Sequence, residues 1–239
     1  MGGVIGFAPV RLEWPPTGDW REALWLHGAL VFCRVPCQDD NRPLHLIAES
    51  LGPPSLRALP KHPELDDGRG VQWVRSLAQP VRDRFGESLR SAGSEAFALH
   101  TDEAFFLEPC RWVLLHCWRP DPEGGGDTCL SDLKALSDLL PAAMLSRPLP
   151  YPCGRLPTLS SAGAGRFNRE ALDSAQADGQ DLAAANQIAA ALAQSGTRLA
   201  LAAGDLLLID NWRIAHGREP FAANSPRALK RLRLINIER

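Results

Sequence analysis

The sequence lacks the features that mark a membrane protein, a nucleic-acid binder or a disulfide-stapled scaffold. No uninterrupted apolar run approaches the roughly 20 residues needed to span a bilayer. Met1 to Val10 shows no basic region leading into a long apolar segment, so a cytoplasmic location is expected. There is no dense Lys/Arg run, and the net charge is only −2, which leaves no electrostatic footprint for nucleic acid or an anionic membrane. The six cysteines are scattered. Cys33 and Cys37 are the closest in sequence, no second close pair follows them, and a zinc knuckle is therefore disfavoured. Reduced thiols packed as small hydrophobes are the expectation. No repeat and no linker divides the chain. With 239 residues, 45 % hydrophobic and 23 % charged, the composition suits one folded domain, 1–239, able to bury a sizeable core.

What is present is a succession of short strand-like runs. Residues 1–24 read as irregular, because Trp14-Pro15-Pro16 resists regular structure. Ala29 to Val35 is an apolar, β-branched run expected to be a buried strand. Pro43 suits the first turn of a helix whose Leu44, Ile47, Ala48 and Leu51 stripe stops at Gly52-Pro53-Pro54. Gly68 to Ser76 is expected to be extended, and Leu77 to Glu95 a loop long enough to form a lid. Arg111 to Trp118 is almost continuously apolar, as in a strand covered on both faces. Thr128 to Leu130 reads as a short strand, followed by a helix capped by Ser131 or Asp132 and reaching Leu139. Proline-rich residues 147–168 read as loops with short strands. Asp181 to Gln194 is the clearest helix, with Asp181 as its cap and Leu182, Ala185, Ala189 and Leu192 on one face. Thr197 to Ala202, Asp205 to Asp210 and Arg231 to Ile237 supply three late strands. Such a pattern predicts a mainly β fold, a double-sheet roll with peripheral helices.

The chemistry gathers at Leu99-His100-Thr101-Asp102. In an extended backbone the period of two puts His100 and Asp102 on one face, where an imidazole and a carboxylate can grip one ion. His216, in a distant apolar segment, would complete a two-histidine, one-carboxylate face, which points to a non-haem iron oxygenase using dioxygen and a co-substrate. The same three ligands also suit zinc. The bland alternative is a hydrogen-bonded pair at a strand end plus an unrelated half-buried histidine. His116, amid Leu114, Leu115, Cys117 and Trp118, reads as a core imidazole bonded to backbone, while His27, His45 and His62 read as surface residues. Arg227 and Arg231 follow His216 by even spacings from each other, so a return strand can turn both inward, where a guanidinium fork suits a carboxylate. Arg233 shares their parity, and the spacing alone does not assign their roles.

Three blocks in this order carry a resemblance: Leu99-His100-Thr101-Asp102-Glu103-Ala104-Phe105, Pro120-Asp121-Pro122-Glu123-Gly124-Gly125-Gly126-Asp127-Thr128, and Gly204 to Asn211 with His216-Gly217-Arg218 and Arg227 to Arg231. With them the sequence resembles the iron(II) and 2-oxoglutarate-dependent oxygenases of the taurine dioxygenase and clavaminate synthase type. The resemblance implies a double-stranded β-helix (jelly roll), with His100, Asp102 and His216 as Fe(II) ligands. It implies Arg227 and Thr128 as the partners of the distal carboxylate of 2-oxoglutarate, and Arg231 as a binder of co-substrate or of an acidic group on the prime substrate. The expected reaction is hydroxylation of an unactivated C–H bond of a small polar metabolite, an amino acid or natural-product intermediate, because a carboxylate at position 102 occupies the place a halogenase leaves open for chloride. Desaturation or cyclisation draws on the same chemistry. Ser146 to Phe167 departs from the pattern where larger members carry an insert, so the substrate does not transfer. Phe105, Trp212 and Arg166 are conjectured pocket residues, with core packing or surface pairing as their competing uses. Two other functions compete, a zinc hydrolase on the same triad and a non-catalytic jelly-roll binding module.

Overall fold

The computed structural model describes residues 7–38, 40–57, 65, 67–77, 79, 81–82, 89–161 and 163–236. The elements run β1 (Val10–Glu13), α1 (Trp20–His27), β2 (Ala29–Cys33), α2 (Arg42–Leu51), β3 (Val71–Arg75), β4 (Phe97–His100), β5 (Trp112–Arg119) and β6 (Thr128–Asp132). After these come α3 (Ala142–Leu145), β7 (Pro148–Tyr151), β8 (Gly154–Pro157), α4 (Gly179–Ser195), β9 (Thr197–Leu199), β10 (Leu206–Asp210), β11 (Ile214–Arg218) and β12 (Ala228–Leu234). Single 3-10 turns lie at Arg90–Ala92, Leu133–Asp138 and Arg169–Ala171.

Two sheets carry the architecture, one of six strands in the order β1-β2-β10-β5-β12-β3 and one of four in the order β4-β11-β6-β9. Strand alternation sorts their side chains into three layers. From the six-stranded sheet, Leu30, Phe32, Leu114, Leu206, Leu208, Leu232 and Leu234 pack outward against Trp20 and Leu24 of α1 and Leu44 and Ile47 of α2. The alternate residues Ala29, Val31, Val113, Leu115, Leu207, Ile209 and Leu229 face Leu130 and Ile214 of the four-stranded sheet. On the far side of that smaller sheet, Leu99 and Ala215 meet Ala185, Ile188 and Leu192 of α4. This is why the runs at 111–118 and 205–210 are apolar without alternation: both faces of those strands are covered. Full burial of a leucine is worth about 1.5–3 kcal/mol, and Leu206, Leu207 and Leu208 are all 0 % exposed.

Several elements differ from the sequence reading. The expected irregular N-terminus contains β1, which pairs in parallel with β2, and the helix α1. The prolines occupy only the connection between them. The expected helix after Thr128 is a 3-10 turn, with Asp132 accepting a hydrogen bond from the Lys134 amide; Pro141 ends the segment too early for an α-helix to propagate. Asp178, not Asp181, is the N-cap of α4. Asp181 lies at the third helical position and completes the capping box by accepting from the Asp178 amide. Residues 148–157 close into a separate two-stranded hairpin, β7 with β8. Much of the proposed lid, Leu77 to Glu95, falls outside the described residues, as does His62. No described helix is long and apolar enough to cross a membrane.

Candidate metal centre

His100 ends β4, and His216 sits directly across from it on β11. The antiparallel pairing places both imidazoles on the inner face, with ring centroids 4.7 Å apart. Gly217 lets the two strands close up: a Cβ there would lie 2.5 Å from the Phe97 carbonyl oxygen. Asp102 follows two residues after His100, but β4 ends at His100 and Asp102 lies in the turn beyond it, not in the extended run expected from the sequence. Its Oδ1 lies 3.4 Å from His100 Nε2 and 3.8 Å from His216 Nε2. All three are buried, with ligand atoms within 4.8 Å of one another.

The donors are poised for an ion rather than for one another. His100 Nδ1 donates to the Ala98 carbonyl at 2.8 Å, which leaves Nε2 as the lone-pair nitrogen. His100 Nε2 and both ring nitrogens of His216 are buried without a hydrogen-bond partner, an arrangement that costs free energy unless something else engages them. Burial, with the nearby His100 adding to it, pushes His216 down to about 3, so its imidazole is neutral at physiological pH. Two imidazoles and a carboxylate with orphaned lone pairs fit a divalent transition-metal ion.

Asp102 is fixed from several sides. Asn211, 0 % exposed, accepts from the Asp102 amide at 2.8 Å and donates to the Asp102 carbonyl at 2.9 Å and the Cys110 carbonyl at 2.8 Å. On the carboxylate itself, Oδ2 accepts from Arg233 Nε at 2.8 Å and Arg231 Nη1 at 3.2 Å. Gln72 Oε1 in turn accepts from both guanidiniums, at 3.1 and 2.8 Å. Burial alone would raise the Asp102 carboxyl, but Arg231 and Arg233 outweigh it and hold it well below the usual carboxylate range. The next residue, Glu103, adopts a left-handed backbone with φ of 60°. Its carboxylate accepts from Ser55 Oγ at 2.6 Å and the Cys110 amide at 2.9 Å, contacts that hold a non-glycine residue in this conformation.

A narrow cavity, partly open to solvent, lies beside His100 and His216. Thr128, Arg218, Arg227 and Arg231 are among its lining residues. The even spacing of Arg227, Arg231 and Arg233 does turn all three toward the inner side, while Lys230 points away, its ammonium 3.9 Å from the Trp118 ring centroid. Arg227 Nη2 donates to the Gly126 carbonyl at 2.8 Å, whereas its Nη1 is buried with no partner. Among the described residues no carboxylate lies within ion-pair distance of Arg227. The glycine-rich turn before Thr128 explains itself here: Gly126, at φ +73°, has no room for a Cβ, which would come 2.5 Å from Arg227 Nε. Arg231 lines the cavity too, but its Nη groups are engaged with Asp102 and Gln72.

The conjectured pocket residues have other work. Arg166 donates to the carbonyls of Ala104, Phe106 and Leu107 and so shapes the loop after Asp102. Trp212 donates to the Pro109 carbonyl, and Phe105 packs on Phe106. None of the three lines the cavity. His116 is a buried core imidazole, as expected, with Cys37 Sγ 3.7 Å from its Nε2. All six cysteines are free; Cys110 and Cys117 are buried, and Cys37 is exposed.

The sequence profile of the Taurine catabolism dioxygenase TauD, TfdA family matches residues 4–147 and 159–233. The chain belongs to this family. The unmatched interval is the β7–β8 hairpin, inside the segment that departs from the pattern in sequence. Among solved structures, asparagine oxygenase (AsnO) is 22 % identical with a TM-score of 0.68, over 91 % of this chain and 78 % of that one. The non-haem iron oxygenase OrfP, in complex with Fe, succinate and (3R,4R)-dihydroxy-L-Arg, is 20 % identical with a TM-score of 0.66, over 90 % and 79 %. These likenesses establish a fold shared with those two oxygenases. A comparison with curated protein sequences finds no match.

Proposed function

We propose that the chain is a single-domain Fe(II)- and 2-oxoglutarate-dependent dioxygenase, wound as a double-stranded β-helix, that hydroxylates an unactivated C–H bond of a small amino-acid-type metabolite. The observation that carries this reading is a buried cluster of three ligand residues, two of which, His100 and His216, line with orphaned nitrogens the same cavity as a buried guanidinium, Arg227, that has no carboxylate within ion-pair distance among the described residues. A structural metal clip would have no use for that guanidinium. The amino-acid class is supported by the descriptions of the two similar structures, an asparagine oxygenase and an oxygenase bound to a dihydroxy-L-Arg.

In this reading His100, Asp102 and His216 hold Fe(II), which supplies dioxygen activation coupled to oxidative decarboxylation of 2-oxoglutarate to succinate and carbon dioxide. The chain's own part is positioning. Arg227 and Thr128 take the distal carboxylate of the co-substrate, and Arg227 is kept in line by Gly126. Arg233 holds Oδ2 of Asp102 and Arg231 bridges both oxygens, with Oδ1, the more weakly held at 3.4 Å, on the side of the two imidazoles. Val74, Leu115 and Leu229 give the cavity an apolar wall that keeps water from the reacting centre.

Anaerobic addition of Fe(II) and then 2-oxoglutarate should give a weak visible charge-transfer band that Asp102→Ala abolishes. A wild-type protein that binds Fe(II) but shows no such band refutes the assignment. In air, a panel of free amino acids and their derivatives should contain compounds that stimulate succinate release.

A further inference from the structure

Arg218 has no role in the account above, yet it lines the same cavity as Thr128 and Arg227. On β11, His216 and Arg218 share the inner face, one rung apart, which is roughly 7 Å along an antiparallel strand. The rung of His216 carries His100 on one side and Leu130 on the other. The next rung carries Phe97, Arg218 and Thr128. The five-carbon backbone of a diacid chelated at the first rung places its far end at the second, where Arg218 and Thr128 are cross-strand partners.

The electrostatics point the same way. Arg218 and Arg227 both lie against the Phe221 ring, 4.8 and 5.1 Å from its centroid. Arg218 is 7 % exposed and Arg227 5 %. Arg218 Nη2 donates to the Glu95 carbonyl, but its Nε is buried without a partner, as is Nη1 of Arg227. Neither has a carboxylate within ion-pair distance among the described residues. Two like charges buried about one ring, Arg218 feeling only the repulsion of Arg227 and Arg227 reached by Asp121 and Asp127 only beyond ion-pair distance, are destabilising, and a fold tolerates them where an anion is taken up.

We propose that Arg218 is a second guanidinium for the distal carboxylate of the co-substrate, gripping it together with Arg227 and Thr128 and enforcing selection for 2-oxo diacids over 2-oxo monoacids. This rests on the reading of the cavity as a 2-oxoglutarate site.

The test compares anaerobic binding of 2-oxoglutarate and 2-oxobutyrate, which lacks the far carboxylate, by calorimetry on the Fe(II)-loaded protein. Thermal shift of the metal-free protein with each acid is read in parallel. Wild type should favour the diacid strongly. Arg218→Gln should cut that preference about 10- to 100-fold, the worth of charge-assisted hydrogen bonds, with 2-oxobutyrate affinity nearly unchanged. Arg218→Lys, which keeps the charge and loses the fork, should fall between, and it decides the matter if the glutamine variant does not fold. If Arg218→Gln weakens both acids equally, or neither, while Arg227→Gln lowers the diacid preference, Arg218 only anchors Glu95 and the proposal is overturned. If wild type shows no preference for the diacid, the underlying reading of the cavity fails instead.

Discussion

Gly126→Ala tests whether the glycine-rich turn exists to make room for Arg227, and Gly124→Ala supplies its control. Both glycines have left-handed backbones, at φ +73° and +81°. Each alanine variant therefore bears a similar backbone cost, about 1–2 kcal/mol. They differ in what the new methyl meets. At position 124 nothing lies within 4 Å, whereas at 126 the Cβ would come 2.5 Å from Arg227 Nε and 2.7 Å from Cδ. The guanidinium must retreat by roughly an ångström to restore ordinary contact, a displacement large enough to cost a positioned group on the order of 100-fold. Urea unfolding should show both variants destabilised, with Gly126→Ala the worse. The affinity for 2-oxoglutarate, read from the charge-transfer band, should fall about 10- to 100-fold in Gly126→Ala, or ~1.4–2.7 kcal/mol, and stay near wild type in Gly124→Ala. Equal 2-oxoglutarate affinity in the two variants would refute the assignment of Arg227 to the co-substrate.

Asp102→Ala should abolish Fe(II) binding and also destabilise the metal-free protein by about 3–5 kcal/mol, because it strips the carboxylate from Arg231 and Arg233 in a buried setting; denaturant titration without metal measures this, and a loss under 1 kcal/mol would contradict it. Asn211→Ala leaves the buried Asp102 amide and carbonyl without their partners and should cost about 3 kcal/mol in stability while weakening Co(II) binding 10- to 100-fold, both checked by calorimetry. Burial lowers the pKa of His116 below its ordinary value. Its unfolded counterpart therefore binds a proton first as the pH falls, and stability drops below about pH 6.5 by up to about 1.4 kcal/mol per unit until the folded group titrates. His116→Gln should remove that part of the slope, and parallel stability profiles for the two proteins would exclude it.

Local periodicity made the centre of this site readable in the sequence, and distant packing made the rest unreadable. The nearness of His100 and Asp102 in sequence announces their meeting, though a turn after β4 and not the strand period brings the carboxylate round, and the parity of Arg227, Arg231 and Arg233 encodes their shared direction. Leu44, Ile47, Ala48 and Leu51 likewise announce the buried face of α2. Nothing local announces that Arg231 and Arg233 converge on Asp102 through Gln72, since that junction joins β12, β3 and the turn after β4. Asn211 stands inside a quoted motif, yet its bonds to Asp102 span 109 positions. The capping of α4 was misplaced because Asp178 and Asp181 are both plausible caps, and only the backbone geometry decides between them. β1 escaped notice because four residues beside two prolines carry little signal, and its pairing partner lies twenty positions away.

The β7–β8 hairpin has a consequence for how such a molecule changes over time. It shares no ladder hydrogen bonds with either large sheet; Asp181 of α4 accepts from Arg147 before it and Arg155 within it, at 3.0 and 2.8 Å. Seated on α4 by buried Leu149 and Tyr151, both 0 % exposed, as well as by these ionic contacts, the hairpin can vary at its turn without disturbing the register of the strands that carry His100 and His216. Variation there leaves untouched the lining of the cavity, to which no hairpin residue contributes.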